Sequence, residues 1–251
     1  MKWKNLMSIN FKTVLVSVKN RLFLVFVSIL ILPGCYQYQY ITLNSNMSQN
    51  EKKEFIVEND TASIKYTFAG ENCPITIGMY NKLKDTIYIN WAKSAVIING
   101  KKISYFTDKP SDEQISSIPP QTYVENVRFT LRGNFFKIDS QDSLTKVIFP
   151  TEEGNYEMIM HSFNESTSPL YFGSFLVIST YKDFSASTFS DNSFWVSGIA
   201  QTTSAPTSFP YKPSNQFYIQ KISGFGKTVG YVTGITLLIL VGYFDPGFFN
   251  Y

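Results

Sequence analysis

One histidine in 251 residues sets the first limit on what this chain can do. With only His161, a zinc site built on several imidazoles is excluded, and no Cys-x-x-Cys pair stands in for them. A Ser–His–Asp or Cys–His set would have to use His161, which closes a strand-like run just before Ser162. A single histidine in that setting reads as structural or solvated. Neither a Gly-x-Ser-x-Gly elbow nor a Gly-x-x-x-x-Gly-Lys phosphate cradle occurs. Glu152 and Glu153 adjoin in a turn, whereas glycoside hydrolysis needs carboxylates facing each other across a cleft. Asp108, Asp112 and Glu113 offer oxygen ligands but no EF-hand pattern, and read as a solvated loop. No metal, cofactor or catalytic residue is therefore expected.

Cysteine is equally scarce: Cys35 and Cys73 are the whole supply. Cys73, beside Pro74 at the start of an apolar alternation, reads as a small buried hydrophobe. Acidic residues are missing altogether before Cys35, while Lys2, Lys4, Lys12, Lys19 and Arg21 precede it. Residues 22–32 form an apolar run broken only by Ser28, followed by Pro33, Gly34 and Cys35. A cationic start, a short apolar stretch and small residues at the cut describe a secretory signal peptide, here residues 1–34. The Leu32-Pro33-Gly34-Cys35 junction resembles a bacterial lipobox, which implies that Cys35 is lipidated and becomes the first residue. The competing reading is an uncleaved membrane anchor. If Cys35 carries lipid, Cys73 is left without a disulfide partner, and the core alone must hold the fold.

Five of the 22 basic residues lie in residues 1–34, so the mature chain has 17 against 19 acidic ones, a net charge of −2. That leaves no basic footprint for nucleic acid.

Tyr36, Tyr38 and Tyr40 alternate with glutamines directly after Cys35, which suits either a bilayer interface or an ordinary first strand. Residues 44–60 are polar and without period, and residues 35–60 together read as a lipidated tether. Residues 61–222 read as strand after strand. Ile64, Tyr66 and Phe68 alternate with polar residues, as do Ile75 and Ile77, and Ile87, Ile89 and Trp91. Asn99-Gly100 between two such runs is a strong hairpin signal, because both residues tolerate positive φ. Further strands are expected over 124–131, 144–149, 156–160, 170–181, 194–199 and 216–222, with Val127, Phe129 and Leu131 inward and Arg128 outward. Residues 183–192 and 202–215 read as surface loops. The expected fold is mainly β, a single antiparallel sandwich.

The order Asn81 to Trp91, Ser94, Val96-Ile97-Ile98-Asn99-Gly100 and Ile118-Pro119-Pro120 resembles uncharacterised envelope lipoproteins of the Bacteroidetes type. The resemblance implies an immunoglobulin-like β-sandwich and an envelope compartment, and brings no catalytic residues. Asp60-Thr61-Ala62, Asp85-Thr86-Ile87 and Asp142-Ser143-Leu144 each resemble the Asp-Ser/Thr-aliphatic sequon for O-glycosylation in secreted proteins of that group. Thr61, Thr86 and Ser143 are thus candidate glycan acceptors; Asp-Ser/Thr also starts turns for purely local reasons.

Residues 229–244 carry no charge, and Gly226, Gly230 and Gly234 recur every four residues. A hydrophobic helix over 226–244 that enters a membrane is expected, with a pair of core strands as the alternative. The functional expectation is a non-catalytic lipoprotein held at the membrane by Cys35 and by residues 229–244, periplasm-facing, and serving as a structural or protein-interaction module. A glycan-binding module using Tyr171, Phe172, Phe194 and Trp195 is the alternative, and a hydrolase built on His161 the third.

Overall fold

Burial follows the sequence alternation residue by residue. In Ala62–Thr67 every second side chain is buried, and Ile87, Ile89 and Trp91 all lie inside. The computed structural model describes residues 36–106, 113–131, 135–137, 144–151, 154–208 and 212–222. The chain divides into two units, Tyr38–Gln220 and a second made of Met1–Gln37 with Lys221–Tyr251. The first unit holds the sheets. It is mainly β, and the helical content of the described residues is one 3-10 turn at Pro206–Ser208.

In chain order the strands are β1 (Tyr36–Asn44), β2 (Ser48–Gln49), β3 (Phe55–Glu58), β4 (Ala62–Thr67), β5 (Gly70–Glu71), β6 (Pro74–Asn81), β7 (Ile87–Asn90) and β8 (Ala95–Ile98). There follow β9 (Lys101–Ser104), β10 (Ile115–Ile118), β11 (Tyr123–Thr130), β12 (Leu144–Thr151), β13 (Gly154–Ser162), β14 (Tyr171–Ser179), β15 (Thr188–Thr202) and β16 (Gln216–Ile222). Sheet one runs β10-β7-β14-β15-β1-β16-β5, with the β8–β9 hairpin attached to β14 and the β12–β13 hairpin to β15. Sheet two runs β11-β6-β4-β3-β2. Pairing is antiparallel apart from the short parallel contact of β16 with β5. The core draws on both sheets: Ile41, Leu176 and Phe194 from the first meet Phe55, Ile64, Tyr66 and Ile77 from the second.

The turn chemistry read from the sequence holds at Asn99-Gly100, which joins β8 to β9 with φ of 51° and 74°. Only a residue tolerant of the left-handed region fits either place. Three expectations need correction. Residues 44–60 are not a tether: β2 and β3 lie there and pair with each other and with β4. Tyr36–Asn44 is the first strand, one of the two readings its tyrosines allow, with Tyr38 and Tyr40 buried. Residues 188–192, expected in a surface loop, begin the fifteen-residue β15.

Arg128 is the third correction. A bulge between Val127 and Phe129 breaks the β11–β6 register, and a bulge re-aims the side chain it carries. The guanidinium lies 3.9 Å from the centre of the Trp91 ring. Trp91 Nε1 donates to Ser116 Oγ at 2.8 Å, and Arg128 Nη2 donates to the same oxygen at 3.3 Å. A residue of sheet two is thereby tied to the edge of sheet one by a cation–π contact and a shared hydroxyl.

A second polar tie runs through the core. Tyr105 Oη donates to Ser174 Oγ at 2.9 Å, Ser174 Oγ to Tyr66 Oη at 3.2 Å, and Asn192 Nδ2 to Tyr66 Oη at 3.1 Å. Burial pushes the Tyr66 hydroxyl up to about 12, with its hydrogen bonds to Ser174 and Asn192 acting the other way. Burial raises Tyr105 as well.

Two expectations follow. Trp91→Ala removes a buried ring from the Arg128 stack and lowers stability by about 3–5 kcal/mol in urea unfolding; a near-neutral result would put the ring at the surface. The tyrosine network predicts alkaline sensitivity. A folded-state pKa above that of the unfolded chain means that the folded form keeps its proton longer. The stabilising share of Tyr66 is then whole below its ordinary value of 10.0 and is lost as pH rises towards 12. The slope is about 1.4 kcal/mol per pH unit for that group. Urea midpoints measured on either side of pH 10 check this, and Tyr66→Phe should flatten the slope.

Candidate functional site

Cys35 and Ser143 lie outside the described residues, as do residues 226–244. No helix among the described residues is long and apolar enough to cross a membrane. Thr61 and Thr86 are described, and the fold brings their turns together. Asn59 Oδ1 accepts from the backbone of Thr61 and Ala62 at 2.9 and 2.7 Å, and the Thr61 carbonyl accepts from Lys82 N at 3.0 Å. Lys82 Nζ pairs with Glu58 across the same gap. Asn81, fully buried, holds the turn that leads to Thr86. Its Nδ2 donates to the carbonyls of Asp85, Ile118 and Pro119 at 2.8, 2.9 and 3.1 Å, and its Oδ1 accepts from Leu83 N at 2.8 Å. Both threonines are half-buried. The residues that carry the family resemblance, Asn81 and the Ile118-Pro119-Pro120 corner, are therefore joined by direct hydrogen bonds.

The aromatics expected to stack on sugars are mostly unavailable. Phe172 and Phe194 are wholly buried, with their rings stacked at 5.2 Å, and Trp195 is buried too; only Tyr171 is substantially exposed. A different pair occupies the outer face of sheet one. Phe175 and Phe189 stack at 5.3 Å, Phe189 is 64% exposed, and Lys102 Nζ lies 4.9 Å from the Phe175 ring centre. Sequence reading missed Phe189 because it follows a Ser-rich stretch that looks like loop.

His161 sits in β13 between Leu144 and Ile199, and neither cross-strand neighbour is a nucleophile or an acid. Its Nδ1 is buried without a hydrogen-bond partner. Cys73 is buried in the core, and burial raises its thiol well above the ordinary range, which leaves it protonated and inert. Glu113 is exposed, while Asp108, Asp112, Glu152 and Glu153 fall outside the described residues. Among the described residues no three His, Cys, Asp or Glu side chains are grouped so that they would hold a metal ion.

The remaining feature is an end of sheet one. β1 and β16 are neighbours, and Leu43 N donates to Asn215 O while the Tyr218 ring packs 6.3 Å from both Tyr38 and Tyr40. The two strands therefore run in opposite directions. Tyr38 and Gln220, first and last in their unit, lie at the same end. The Asn81 turns lie at the other: β7 pairs with β14 at Ile178, and Ile178 pairs with Thr188 at the start of β15, whereas Tyr38 pairs with Thr202 at its close.

Asn81→Ala strips three carbonyls of their partner and should cost about 1–3 kcal/mol. It should also open the 82–86 turn to protease before the rest of the domain, which limited proteolysis reads directly.

No protein-family model, no curated protein and no solved structure matches the chain.

Proposed function

We propose that the chain is a lipid-anchored envelope lipoprotein whose immunoglobulin-like β-sandwich is a non-catalytic module for binding another envelope component. The supporting observation is the shared end of Tyr38 and Gln220. The apolar stretch at residues 22–32 precedes one of these residues and the uncharged stretch at 229–244 follows the other. The first and last residues of the β unit are thus on one side of it. A protein held by lipid on Cys35 and by a C-terminal hydrophobic segment needs that arrangement, since its two anchors enter one membrane. The opposite end, with Thr61 and Thr86 in its pinned turns, then faces away from the bilayer. In this reading the compartment is the bacterial envelope, periplasm-facing, and glycans on Thr61, Thr86 and Ser143 belong to the same proposal.

A second reading, a glycan-binding module, has one observation in its favour: the exposed Phe175–Phe189 stack beside Lys102. An exposed ring face offers a sugar apolar area with a cation at its rim.

Intact-mass analysis of protein extracted from membranes should give a chain that begins at an acylated Cys35. Recovery of the full-length chain with a free Cys35 thiol would end the lipoprotein reading. Removal of residues 226–251 should leave a folded β-domain still held by its lipid, whereas loss of folding would make that segment part of the core. In-cell crosslinking should return a reproducible protein partner. Retention on immobilised polysaccharide that is lost in Phe189→Ala would favour the glycan reading instead.

A further inference from the structure

β15 has an unpaired edge where β1 leaves it. Over residues 188–195 one side of the strand is taken by β14, and β1 covers the other side only from Trp195 onward. Backbone groups along an antiparallel strand point to its two sides in turn. Val196 N donates to Leu170 O on the β14 side, whereas Ser193 O accepts from Ser45 Oγ at 2.6 Å on the β1 side. Ser193, Asp191 and Phe189 therefore all turn their N–H and C=O away from β14. After Ser45 the chain crosses to sheet two, where it forms β2. Among the described residues nothing bonds the backbone of Asp191 or Phe189 on that side.

Sheet edges are normally blunted by lysine, proline or a bulge. The outer edge of β12 carries Lys146 and Pro150. Residues 188–193 have neither, and the bulge in the β1–β15 register falls beyond them, between Thr42 and Leu43. The side chains on this edge indicate what fits it. Phe189, Asp191 and Ser193 share the outer face, and a residue directly opposite each on an added strand would share it too. Phe189 is 64% exposed, so its ring has room for a cross-strand partner. Asp191 is exposed, makes no ion pair among the described residues, and faces Phe175 on β14 rather than a cation. A second copy of the chain suits the edge poorly. The two-fold register that uses all three rows centres on Asp191 and sets two carboxylates opposite each other.

We propose that the 188–193 edge of β15 is a strand-addition site for an extended segment of a partner protein, running on from β1 and antiparallel to β15, with Lys or Arg level with Asp191 and an aliphatic or aromatic residue level with Phe189. Main-chain pairing supplies the affinity, and the Asp191 charge and Phe189 ring supply the selectivity. The edge lies towards the end of the sheet away from Tyr38 and Gln220. The proposal rests on the protein-interaction reading, and its test separates the two.

The probe is the capped peptide Thr-Ser-Thr-Lys-Thr-Ile-Thr, whose Lys and Ile fall level with Asp191 and Phe189. It is titrated to millimolar concentration into the full chain in detergent micelles, with amide exchange read residue by residue by NMR. Exchange at Phe189 and Asp191 should slow several-fold, while Ser190 and Asn192, which point to β14, stay as they were. Replacing the probe's Lys by Glu should weaken the effect several-fold, and Asp191→Lys should reverse that preference. Asp191→Pro should abolish protection of Phe189 at an unchanged melting temperature, because the N–H it removes faces away from β14. If that variant unfolds, the charge reversal decides alone. No slowing at Phe189 and Asp191 overturns the proposal, as does equal response to both probes in either form of residue 191. Protection that rises with protein concentration in the absence of probe would give the edge to a second copy, with the same consequence. A sugar on the Phe189 ring would shift its side-chain signals and leave these amides unprotected. In-cell crosslinks to a partner from other faces, with none from a photoreactive group at position 191, would end this proposal and keep the interaction-module reading.

Discussion

Phe194 is the contact on which the two sheets depend. Its ring stands 5.4, 5.2 and 4.9 Å from Phe55, Tyr66 and Phe68, which come from the β3–β4 region of sheet two, and 5.2 Å from Phe172 beside it. Edge-on pairs of this kind add about 0.5–1.5 kcal/mol each beyond the area they bury. Phe194 belongs to β15, the strand that also pairs with β14, β1 and β13. Packing around one ring therefore sets the relation of nearly every strand to the core. The Tyr66 hydroxyl makes that relation specific. A slide of sheet two past sheet one would take the buried Tyr66 hydroxyl away from Ser174 and Asn192, a penalty that an all-hydrocarbon interface would not carry.

Most strands were legible in the sequence because one face of each is buried and period two records that directly. What escaped has identifiable causes. β2 and β3 looked like a tether because Ser48-Gln49 is an exposed edge pair and gives no alternation to read. Arg128 was assigned outward by strict alternation, and a bulge, which inserts one residue and shifts the phase, is invisible to that rule. The start of β15 is hidden by its polar composition, since its buried position there is Asn192, which bonds Tyr66, and not a hydrophobe. Phe172 and Phe194 were recognised as aromatic, but composition cannot tell a core ring from a platform; only the sheet that covers them does. Asn81 could be read as a turn residue bonding nearby Asp85, whereas its other two carbonyl partners, Ile118 and Pro119, come from a distant segment and needed the fold. Thr61 and Thr86 were singled out separately, and their shared end could not be foreseen.

The domain has two unlike ends. At one, Asn81 and the Lys82–Glu58 pair knit three short turns into a rigid cap. At the other, the first and last strands lie side by side and a hairpin overhangs them.

Joining the first strand to the last also governs the order of events during folding. Leu43 receives its hydrogen bond from Asn215, 172 residues downstream, and Ser197 reaches Thr42 across 155. Closing loops of that length puts the topology among the slow-folding, high-contact-order domains. The strand that leaves the ribosome first has no partner until nearly the whole domain has followed it, so β1 remains available to chaperones, processing enzymes and stray strand edges for longer than any other element.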